Sequence, residues 1–534
     1  MNPLFGRVYP IVLASLLTAA CSPDGPTART ADGPEGAAAS ASGAYSWLIS
    51  GGTVVDGTGN PGRSADVLMR GDRIAFVGSL DPDTIDVRER FDATGLVVTP
   101  GFIDAHAHGD PVEEPGFENF LAMGVTTIVL GQDGGSPEVG EMAETMDAVD
   151  AAHPGVNVAY LVGHNTVRRE SGVGFGDPGS EGLVRMSDLV TEGLEAGAFG
   201  LSTGLEYDPG SRSDLDELAA IARPVAAADG VVVSHVRNED ADAIAASMDE
   251  LIEQGRRSGA RVHISHMKIV LGNDTAQATA LLVAMARARA EGVEVTADVY
   301  PYTASFTGIG ILFPEWSRPP NDYVAVVRDR RDELAEHLRG RVESRNGPEA
   351  TLFGAGDFSG RTLAEIAAEQ GRPYEDVLID LGPDGAQAAY FVMNERVMAK
   401  LLNDPHVAVS SDGSPTMQHP RGHGSFSRII RQYVEDQGLF PLEAAVHKMS
   451  GLTASIYGLD DPSRVDVPRG QVREGWAADL LVFDPAEVRD VADFEHPHRL
   501  SEGMRAVWVG GVPVWRDGKP SGEERGGRVL RARR

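Results

Sequence analysis

The chain has 534 residues, of which 42% are hydrophobic and 24% are charged, with 47 basic against 79 acidic residues. This composition excludes disordered, fibrous and small disulfide-stapled proteins, because it supplies enough apolar surface for a large core and includes a single cysteine. The net charge of −32 would repel a phosphate backbone, so we expect no nucleic-acid partner.

The first 21 residues have the pattern of a lipoprotein signal peptide. One basic residue, Arg7, precedes an apolar run over residues 11–17, and small residues lead to Cys21. The run is too short to span a bilayer, and residues 17–21 resemble a bacterial lipobox, in which the cysteine is lipidated. We therefore predict a periplasmic-facing outer-membrane lipoprotein whose one membrane contact is a lipid on Cys21. The alternative is a cleaved signal that leaves a soluble periplasmic or secreted protein.

The ends of the chain flank a central region of different character. Residues 22–44 are rich in Ala, Gly, Pro and Ser, which predicts a flexible linker. Residues 45–99 contain short alternating apolar segments separated by Gly-Gly, Asp-Gly and Gly-Asp turns, a pattern typical of antiparallel strands. Strand-like segments return near the C terminus. We therefore predict one small β-sandwich domain built from residues 45–99 and 463–520.

Between these ends, apolar strand-like segments alternate with Ala-rich helical segments, as in the repeated βα units of a parallel sheet. The number of segments predicts an α/β fold with a (β/α)₈ TIM barrel over residues 100–462. Residues 304–395 are too many for one crossover and predict a lid or insert. The candidate strands are residues 96–108, 126–131, 156–164, 199–207, 231–237, 262–268, 293–303 and 407–412.

Polar residues at the ends of these strands would share one rim of a closed barrel. His106 and His108 are two positions apart, so both imidazoles face the same side of a strand. Several neutral imidazoles at one rim suit a divalent, zinc-like ion. Each histidine alone is more typical of a structural residue, and Asp412 before a glycine is typical of a turn cap, but their recurrence favours a metal site. The strand-end candidates are His106, His108, Asp133, His164, His235, His266 and Asp412.

Residues 100–108 resemble the opening signature of the amidohydrolase superfamily. More narrowly, residues 46–520 resemble N-acyl-D-amino-acid deacylases, or D-aminoacylases. The resemblance implies a metal-dependent hydrolase that uses one or two Zn²⁺ ions. It implies cleavage of the linear amide of a small-molecule N-acyl-D-amino acid to a D-amino acid and a carboxylate. It rests on six motifs in the same order, at residues 200–207, 234–239, 264–268, 298–302, 411–413 with 419–421, and 445–450.

The resemblance also implies roles for individual residues. In the family, two histidines and a bridging cysteine hold the tightly bound zinc, the histidine pair of the first strand contributes to a weaker second position, and an aspartate is catalytic. The two histidines of the tight zinc site match His235 and His266, and the pair of the first strand matches His106 and His108. The catalytic aspartate matches Asp412, which we also count among the metal ligands.

The chain departs from the family pattern at Asp133, which stands where the family has its cysteine. A carboxylate is an acceptable zinc ligand but a harder one than thiolate, so the number and preference of metal ions stay open. The alternative is that Asp133 caps the following helix.

The resemblance implies that the carboxylate of the substrate is held by Lys268, Tyr302 and Arg421, with Tyr207 nearby. Arginine can bind a carboxylate through two parallel hydrogen bonds, and phenols can donate to it. In so acidic a chain, an anionic substrate requires such a local group of donors. The alternative for the two cations is a solvated surface position. We interpret His164 as structural.

Three alternative functions remain open at this point. A cyclic-amide hydrolase such as a hydantoinase or dihydroorotase usually bridges two metals with a carboxylated lysine, and no lysine ends the third or fourth candidate strand. A purine deaminase is not formally excluded. A binding lipoprotein that has lost catalysis would be expected to lack some ligands, whereas the histidines and Asp412 are all present.

Overall fold

The computed structural model describes residues 45–354 and 356–534. The predicted signal peptide, linker and lipidated Cys21 fall outside the described residues. Every helix within these two ranges is too short or too polar to cross a lipid bilayer.

The alternating apolar segments after residue 44 form strands of two sheets. Their order in the first sheet is β5-β4-β1-β6, and β1 pairs with β6 in parallel, as β2 does with β7. The antiparallel pattern predicted for this region thus holds for the pairings β1–β4, β4–β5 and β2–β3 but not for these two, because turn residues alone do not fix which strands become neighbours. The strands are β1 (Tyr45–Ser50), β2 (Thr53–Val54), β3 (Arg63–Ser64), β4 (Asp66–Arg70), β5 (Arg73–Gly78), β6 (Val87–Asp92) and β7 (Val97–Pro100).

The central region begins with parallel strands that alternate with helices. Valine, isoleucine and leucine dominate the strands because these are covered on both faces. The elements are β8 (Phe102–Asp104), α1 (Glu118–Ala122), β9 (Val125–Leu130), α2 (Met142–Ala151), β10 (Asn157–Tyr160), β11 (Val162–Gly163), α3 (His164–Glu170), α4 (Gly179–Glu195), β12 (Gly200–Gly204), α5 (Leu215–Ala227), β13 (Val231–His235), α6 (Ile244–Ser258), β14 (Arg261–Ile264), α7 (Thr275–Ala290) and β15 (Val295–Val299).

An insert with its own hydrophobic core interrupts the repeat before the last barrel strand. Its sheet is antiparallel, in the order β16-β18-β17, and helices pack on it through residues such as Leu334, Leu338 and Leu378. The elements are β16 (Ser305–Gly308), α8 (Tyr323–Glu343), β17 (Thr351–Phe353), α9 (Leu363–Gln370), α10 (Tyr374–Leu381) and β18 (Gln387–Tyr390).

The last part of the central region closes the barrel. The elements are α11 (Glu395–Leu402), β19 (Val407–Val409), α12 (Arg421–Arg428) with a π-helical continuation (Ile429–Asp436), α13 (Leu442–Met449) and α14 (Gly451–Tyr457). β19 pairs with β15, and beyond it the Asp412 N–H donates to the His106 carbonyl at 2.8 Å. Since β10 continues into β11, eight parallel strands form the ring, which confirms the predicted (β/α)₈ barrel.

The C-terminal strands complete the second sheet of the sandwich. They are β20 (Leu480–Phe483), β21 (Met504–Val509), β22 (Val512–Arg516) and β23 (Lys519–Pro520), and the sheet order is β23-β22-β21-β20-β7-β2-β3. Residues of both sheets, among them Trp47, Val67, Leu480 and Trp508, share one core. The two ends of the chain thus form one sandwich, as predicted.

One predicted barrel strand, residues 96–108, is two strands in different sheets. β7 belongs to the sandwich and β8 to the barrel, and Gly101 stands between them. A Cβ at Gly101 would collide with Thr126, so the chain can change sheets here because this residue has no side chain. The hydrophobic run gave no sign of the change, since both halves are buried.

Candidate metal centre and active site

The carboxyl ends of the barrel strands bring six of the predicted site residues together. Parallel strands end at one rim, so side chains distant in sequence converge there. Each potential ligand atom lies within 4.8 Å of the others in its group. Two such groups share Asp133: one is His106, His108, Asp133 and Asp412, and the other is Asp133, His235 and His266. A third is Glu206, His235 and Glu239.

Asp133 belongs to the first two of these groups. Its Oδ1 is 3.4 Å from His106 Nε2, 3.6 Å from His235 Nδ1 and 3.4 Å from His266 Nε2, while its Oδ2 is 3.5 Å from His108 Nε2. Two ligand atoms on one tetrahedral ion at zinc–ligand distances are about 3.4 Å apart. The observed separations therefore fit shared coordination of a metal better than direct hydrogen bonds, which are shorter.

Asp133 does not serve as a helix cap. The cap positions of the next helical turns are Glu138 and Glu141, whereas the Asp133 carboxylate faces imidazoles. The alternative interpretation of Asp133 as a helix cap was therefore wrong.

His106 provides the strongest sign that a cation belongs here. Its side chain is fully buried, and neither ring nitrogen has a hydrogen-bond partner among residues 45–354 and 356–534. A buried polar group without a partner is costly, so such a group usually has one. Burial also lowers the pKa of His106, which favours the neutral ring that binds metals. The donor set of imidazoles and carboxylates thus fits a divalent ion such as zinc.

The charges around the centre favour a positive occupant. Burial opposes protonation of His235, but Glu239, Asp133 and Glu206 together raise its pKa to about 10. Burial likewise opposes ionisation of Asp412, but Arg421 and the nearby histidines hold its pKa well below the ordinary value. The acids therefore stay ionised and attract positive charge.

Three candidate site residues have left-handed backbone conformations. Asp133 has φ 54°, His266 has φ 34° and Asp412 has φ 48°. Such a conformation costs a non-glycine residue about 1–3 kcal/mol and is found mainly where the surrounding structure imposes it, often at functional sites. The strained residues are therefore three of the six that the ligand geometry brings together.

Two buried aspartates fix the backbone that carries the ligands. Asp298 Oδ1 accepts from the His266 N–H at 2.9 Å, and Asp104 Oδ1 accepts from the N–H groups of His106 at 3.1 Å and Ser411 at 2.9 Å. Burial raises the pKa of Asp104 to about 7. These contacts hold the histidines on the rigid strand ends.

Sequence reasoning missed two glutamates that contact the histidines from behind. His235 Nε2 is 3.1 Å from Glu206 Oε2. His266 Nδ1 is 3.2 Å from Glu239 Oε1 and 2.7 Å from Lys268 Nζ, which itself donates to Glu239. In each ring the other nitrogen faces Asp133. A metal-binding histidine usually donates its second N–H to a carboxylate or carbonyl, which orients the ring. Both glutamates could have been predicted from this rule, because they lie in the motifs at residues 200–207 and 234–239 that had already been singled out.

A cavity of about 470 Å³ opens over the centre, and three of the four predicted substrate-binding residues line it. Lys268 Nζ donates to Glu239 Oε1 at 2.6 Å, and Arg421 Nη1 is 2.9 Å from Asp412 Oδ2. The Tyr207 ring lies 4.6 Å from the His235 ring. Both cations are therefore at the site, each paired with an acid, and they are not solvated surface residues.

Tyr302, the fourth predicted substrate-binding residue, does not line the cavity. The structure thus corrects its predicted position. The Arg428 guanidinium covers its ring at 4.8 Å, and Tyr300 lines the cavity instead. The Tyr302 N–H donates to the Tyr300 carbonyl, so the chain makes a tight turn around Pro301 after β15. This turn breaks the strand alternation that would have kept both rings on one side.

His164 is structural, as interpreted from the sequence. Its Nε2 is 2.7 Å from Glu217 Oε1, and Arg168 pairs with the same carboxylate in a buried triad. It does not line the cavity.

Comparison with known proteins agrees with this arrangement. The profile of the amidohydrolase family matches residues 89–515. The chain is 36% identical to D-aminoacylase of Alcaligenes xylosoxydans xylosoxydans, over 91% of this chain and 97% of that protein. It is 37% identical to N-acyl-D-glutamate deacylase of the same organism, over 91% and 96%. The chain belongs to the D-aminoacylase family of amidohydrolases. The family predicted from the motifs is confirmed.

This D-aminoacylase family member also has a close structural relative. N-acyl-D-glutamate deacylase from Bordetella bronchiseptica was solved with zinc and a phosphonate inhibitor that mimics the tetrahedral intermediate of the reaction. The two structures align with a TM-score of 0.79 and 33% identity over 92% of this chain and 100% of the other. The alignment thus extends over the sandwich and the barrel together.

The contact between Glu206 and His235 predicts an effect on metal affinity. We expect Glu206→Gln to bind Zn²⁺ about 10–100-fold more weakly, because His235 loses the charged acceptor that orients its ring. Calorimetric titration of the metal-stripped protein measures this. Glu250→Gln is the matched control, since Glu250 is 21% exposed against 23% for Glu206 but pairs with Arg237. Equal affinity in Glu206→Gln and wild type would contradict the assignment.

Proposed function

We propose that this protein is a zinc-dependent amidohydrolase that cleaves the linear amide of N-acyl-D-amino acids to a D-amino acid and a carboxylate. The observation that carries the proposal is the convergence of four histidines and two aspartates in two groups that share Asp133. Family membership supports the reaction, since the relatives with the same barrel and sandwich are D-aminoacylase and N-acyl-D-glutamate deacylase.

The two groups would hold one or two zinc ions. When bound, zinc supplies Lewis-acid chemistry, because it lowers the pKa of water and polarises a carbonyl. The chain contributes a rigid set of ligands on strand ends and the glutamates that orient two of them. The first group is Asp133, His235 and His266, and the second is His106, His108, Asp133 and Asp412.

Asp412 is the proposed proton carrier. Its Oδ1 is 3.2 Å from His108 Nε2 at the floor of the cavity, and its Oδ2 pairs with Arg421. The carboxylate accepts a proton from the attacking water and passes it to the leaving nitrogen as the amide bond breaks. In the free protein Arg421 lowers the pKa of Asp412. A substrate carboxylate that engages Arg421 shares this positive charge, so the pKa of Asp412 rises when a substrate is in place.

The carboxylate of the substrate binds on the wall formed by Lys268, Tyr300 and Arg421. Arg421 lies 4.7 Å above the Tyr300 ring, and Lys268 Nζ lies 5.6 Å from it. Lys268 and Arg421, together with Arg345 elsewhere on the lining, are the lysine and arginine side chains of this cavity in a chain of net charge −32. Tyr300 takes the place that the sequence resemblance had given to Tyr302.

The alternatives are less well supported. A bridge made by a carboxylated lysine would need a lysine between the two groups, but Asp133 occupies that position, and Lys268 pairs with Glu239. A binder without catalysis would need no proton carrier beside the ligands, whereas Asp412 is within reach of both His108 and Arg421.

An enantiomer panel tests the proposed reaction. We expect the zinc-loaded protein to hydrolyse N-acetyl-D-amino acids more than about tenfold faster than their L forms, a difference of about 1.4 kcal/mol between the two transition states. Release of the free amine measures the rate, and metal-stripped protein is the control. Faster cleavage of the L forms would overturn the D-amino-acid assignment, and no cleavage of either form would overturn the proposed function.

The role of Asp412 predicts a loss of turnover without loss of metal. We expect Asp412→Asn to lower kcat by about 10²–10⁴-fold, because an amide cannot carry the proton. The group of Asp133, His235 and His266 is unchanged, so the variant should retain at least one zinc ion by elemental analysis. Near-normal turnover would remove Asp412 from this role.

We also propose that the protein is exported and held at the outer membrane by a lipid on Cys21, with residues 22–44 as a tether. The apolar run before Cys21 and the small residues around it support this. We expect wild type to fractionate with membranes and Cys21→Ala to become soluble in the same cell extract. A Cys21→Ala protein that stays with the membranes would argue against the lipid.

A further inference from the structure

A second cavity, of about 500 Å³, lies beside the cavity over the metal centre. The Tyr207 and Thr307 hydroxyl oxygens, 3.2 Å apart, form part of the wall between the two cavities. Because the same residues face both spaces, a ligand that parts the Tyr207 and Thr307 side chains can extend from the first cavity into the second. The residues that line both are Tyr207, Thr307, Gly308, Ile311 and Gln387.

The second cavity, here called the side chamber, has largely apolar walls. Phe175, Pro319, Pro383 and Ala386 line it together with the shared Ile311. Phe175 is 37% exposed, and the Arg212 guanidinium lies 6.0 Å from its ring. An apolar ligand that reached the chamber would cover this ring.

The charged residues of the side chamber are mostly neutralised within the protein. Asp208 lies 3.4 Å from Arg318 Nη1 and 3.4 Å from Arg212 Nε, and both arginines belong to the same cluster. Asp384 is exposed at the edge. The interior of the chamber therefore matches an uncharged, apolar occupant better than an ionic one.

The position of the chamber relates it to one end of the substrate. This step rests on the proposed function, in which the substrate carboxylate binds to Lys268 and Arg421. The shared wall is formed by Tyr207 instead, whose ring packs against His235. Because the acyl group and the carboxylate lie on opposite sides of the scissile bond, the acyl group leaves the centre toward Tyr207 and the side chamber.

We propose that the side chamber binds the acyl chain of the substrate, and that the enzyme prefers N-acyl-D-amino acids with long apolar acyl chains to their N-acetyl forms. The first carbons of the chain lie over the metal centre, and the later ones pass Tyr207 and Thr307. Each methylene that reaches the apolar walls should raise kcat/KM by about two- to fourfold.

A chain-length series tests the proposal. With the full, zinc-loaded protein, we expect kcat/KM to rise from the N-acetyl through the N-hexanoyl to the N-octanoyl derivative of one D-amino acid. In Ala386→Phe, which enlarges a residue of the chamber wall, the ratio of octanoyl to acetyl kcat/KM should fall toward one. Ala368→Phe, at an exposed position on α9 of the same insert, is the matched control and should keep the wild-type ratio.

Two outcomes of the series would overturn the proposal. One is an octanoyl preference that is absent in wild type or unchanged in Ala386→Phe. The other is a kcat/KM that depends on the length of the amino-acid side chain but not on the length of the acyl chain. That result would show that the side chamber binds the amino-acid side chain.

Binding of the free acids separates this proposal from the proposed function. We expect octanoate to bind the zinc-loaded protein more tightly than acetate by calorimetry, and Ala386→Phe to remove the difference. If octanoate binds more tightly as expected but no N-acyl amino acid is cleaved, the assignment of the side chamber is supported and the proposed function is wrong. If N-acetyl-D-amino acids are cleaved but octanoate binds no better than acetate, the chamber assignment falls and the function stands.

Discussion

The structure depends on one carboxylate placed among imidazoles. Asp133 directs its two oxygens at ring nitrogens of His106, His108, His235 and His266, which come from three different strands. A largely buried carboxylate and buried imidazoles at such distances, longer than ordinary hydrogen bonds, are costly without a charge between them. A cation removes this cost, and its binding free energy offsets the left-handed backbone that brings Asp133 into place.

The barrel makes this arrangement rigid through residues that never touch the cavity. Asp104 ties the end of β8 to Ser411 beyond β19, the point where the ring closes, and Asp298 on β15 holds the backbone of His266 beyond β14. Each is a buried carboxylate that accepts N–H groups left free where a strand ends. The contacts that close the fold are thus also the contacts that position the ligands, so barrel closure and site geometry are one property.

The sequence was sufficient for features that depend on local pattern and insufficient for those that depend on neighbours. Apolar runs followed by His or Asp revealed the barrel strands and their rim, since strand ends are local signals. The change of sheet at Gly101 and the parallel pairing of β1 with β6 depend on distant partners, so no local pattern carries them. The resemblance pointed to Tyr302, but the turn at Pro301 leaves Tyr300 at the cavity instead, and Glu206 is recognisable only beside the ring it orients.

The cations of the site explain how a strongly acidic chain can select one class of anion. Lys268 and Arg421 are already paired, with Glu239 and Asp412, so an arriving carboxylate displaces part of an existing ion pair. A simple anion gains little from this exchange, because it weakens one interaction to form another. A substrate that also places its amide over the metal centre gains a second interaction and, by drawing Arg421 away, makes Asp412 more basic. In the proposed function, binding of the substrate carboxylate and proton transfer by Asp412 would therefore be coupled through the Arg421 guanidinium.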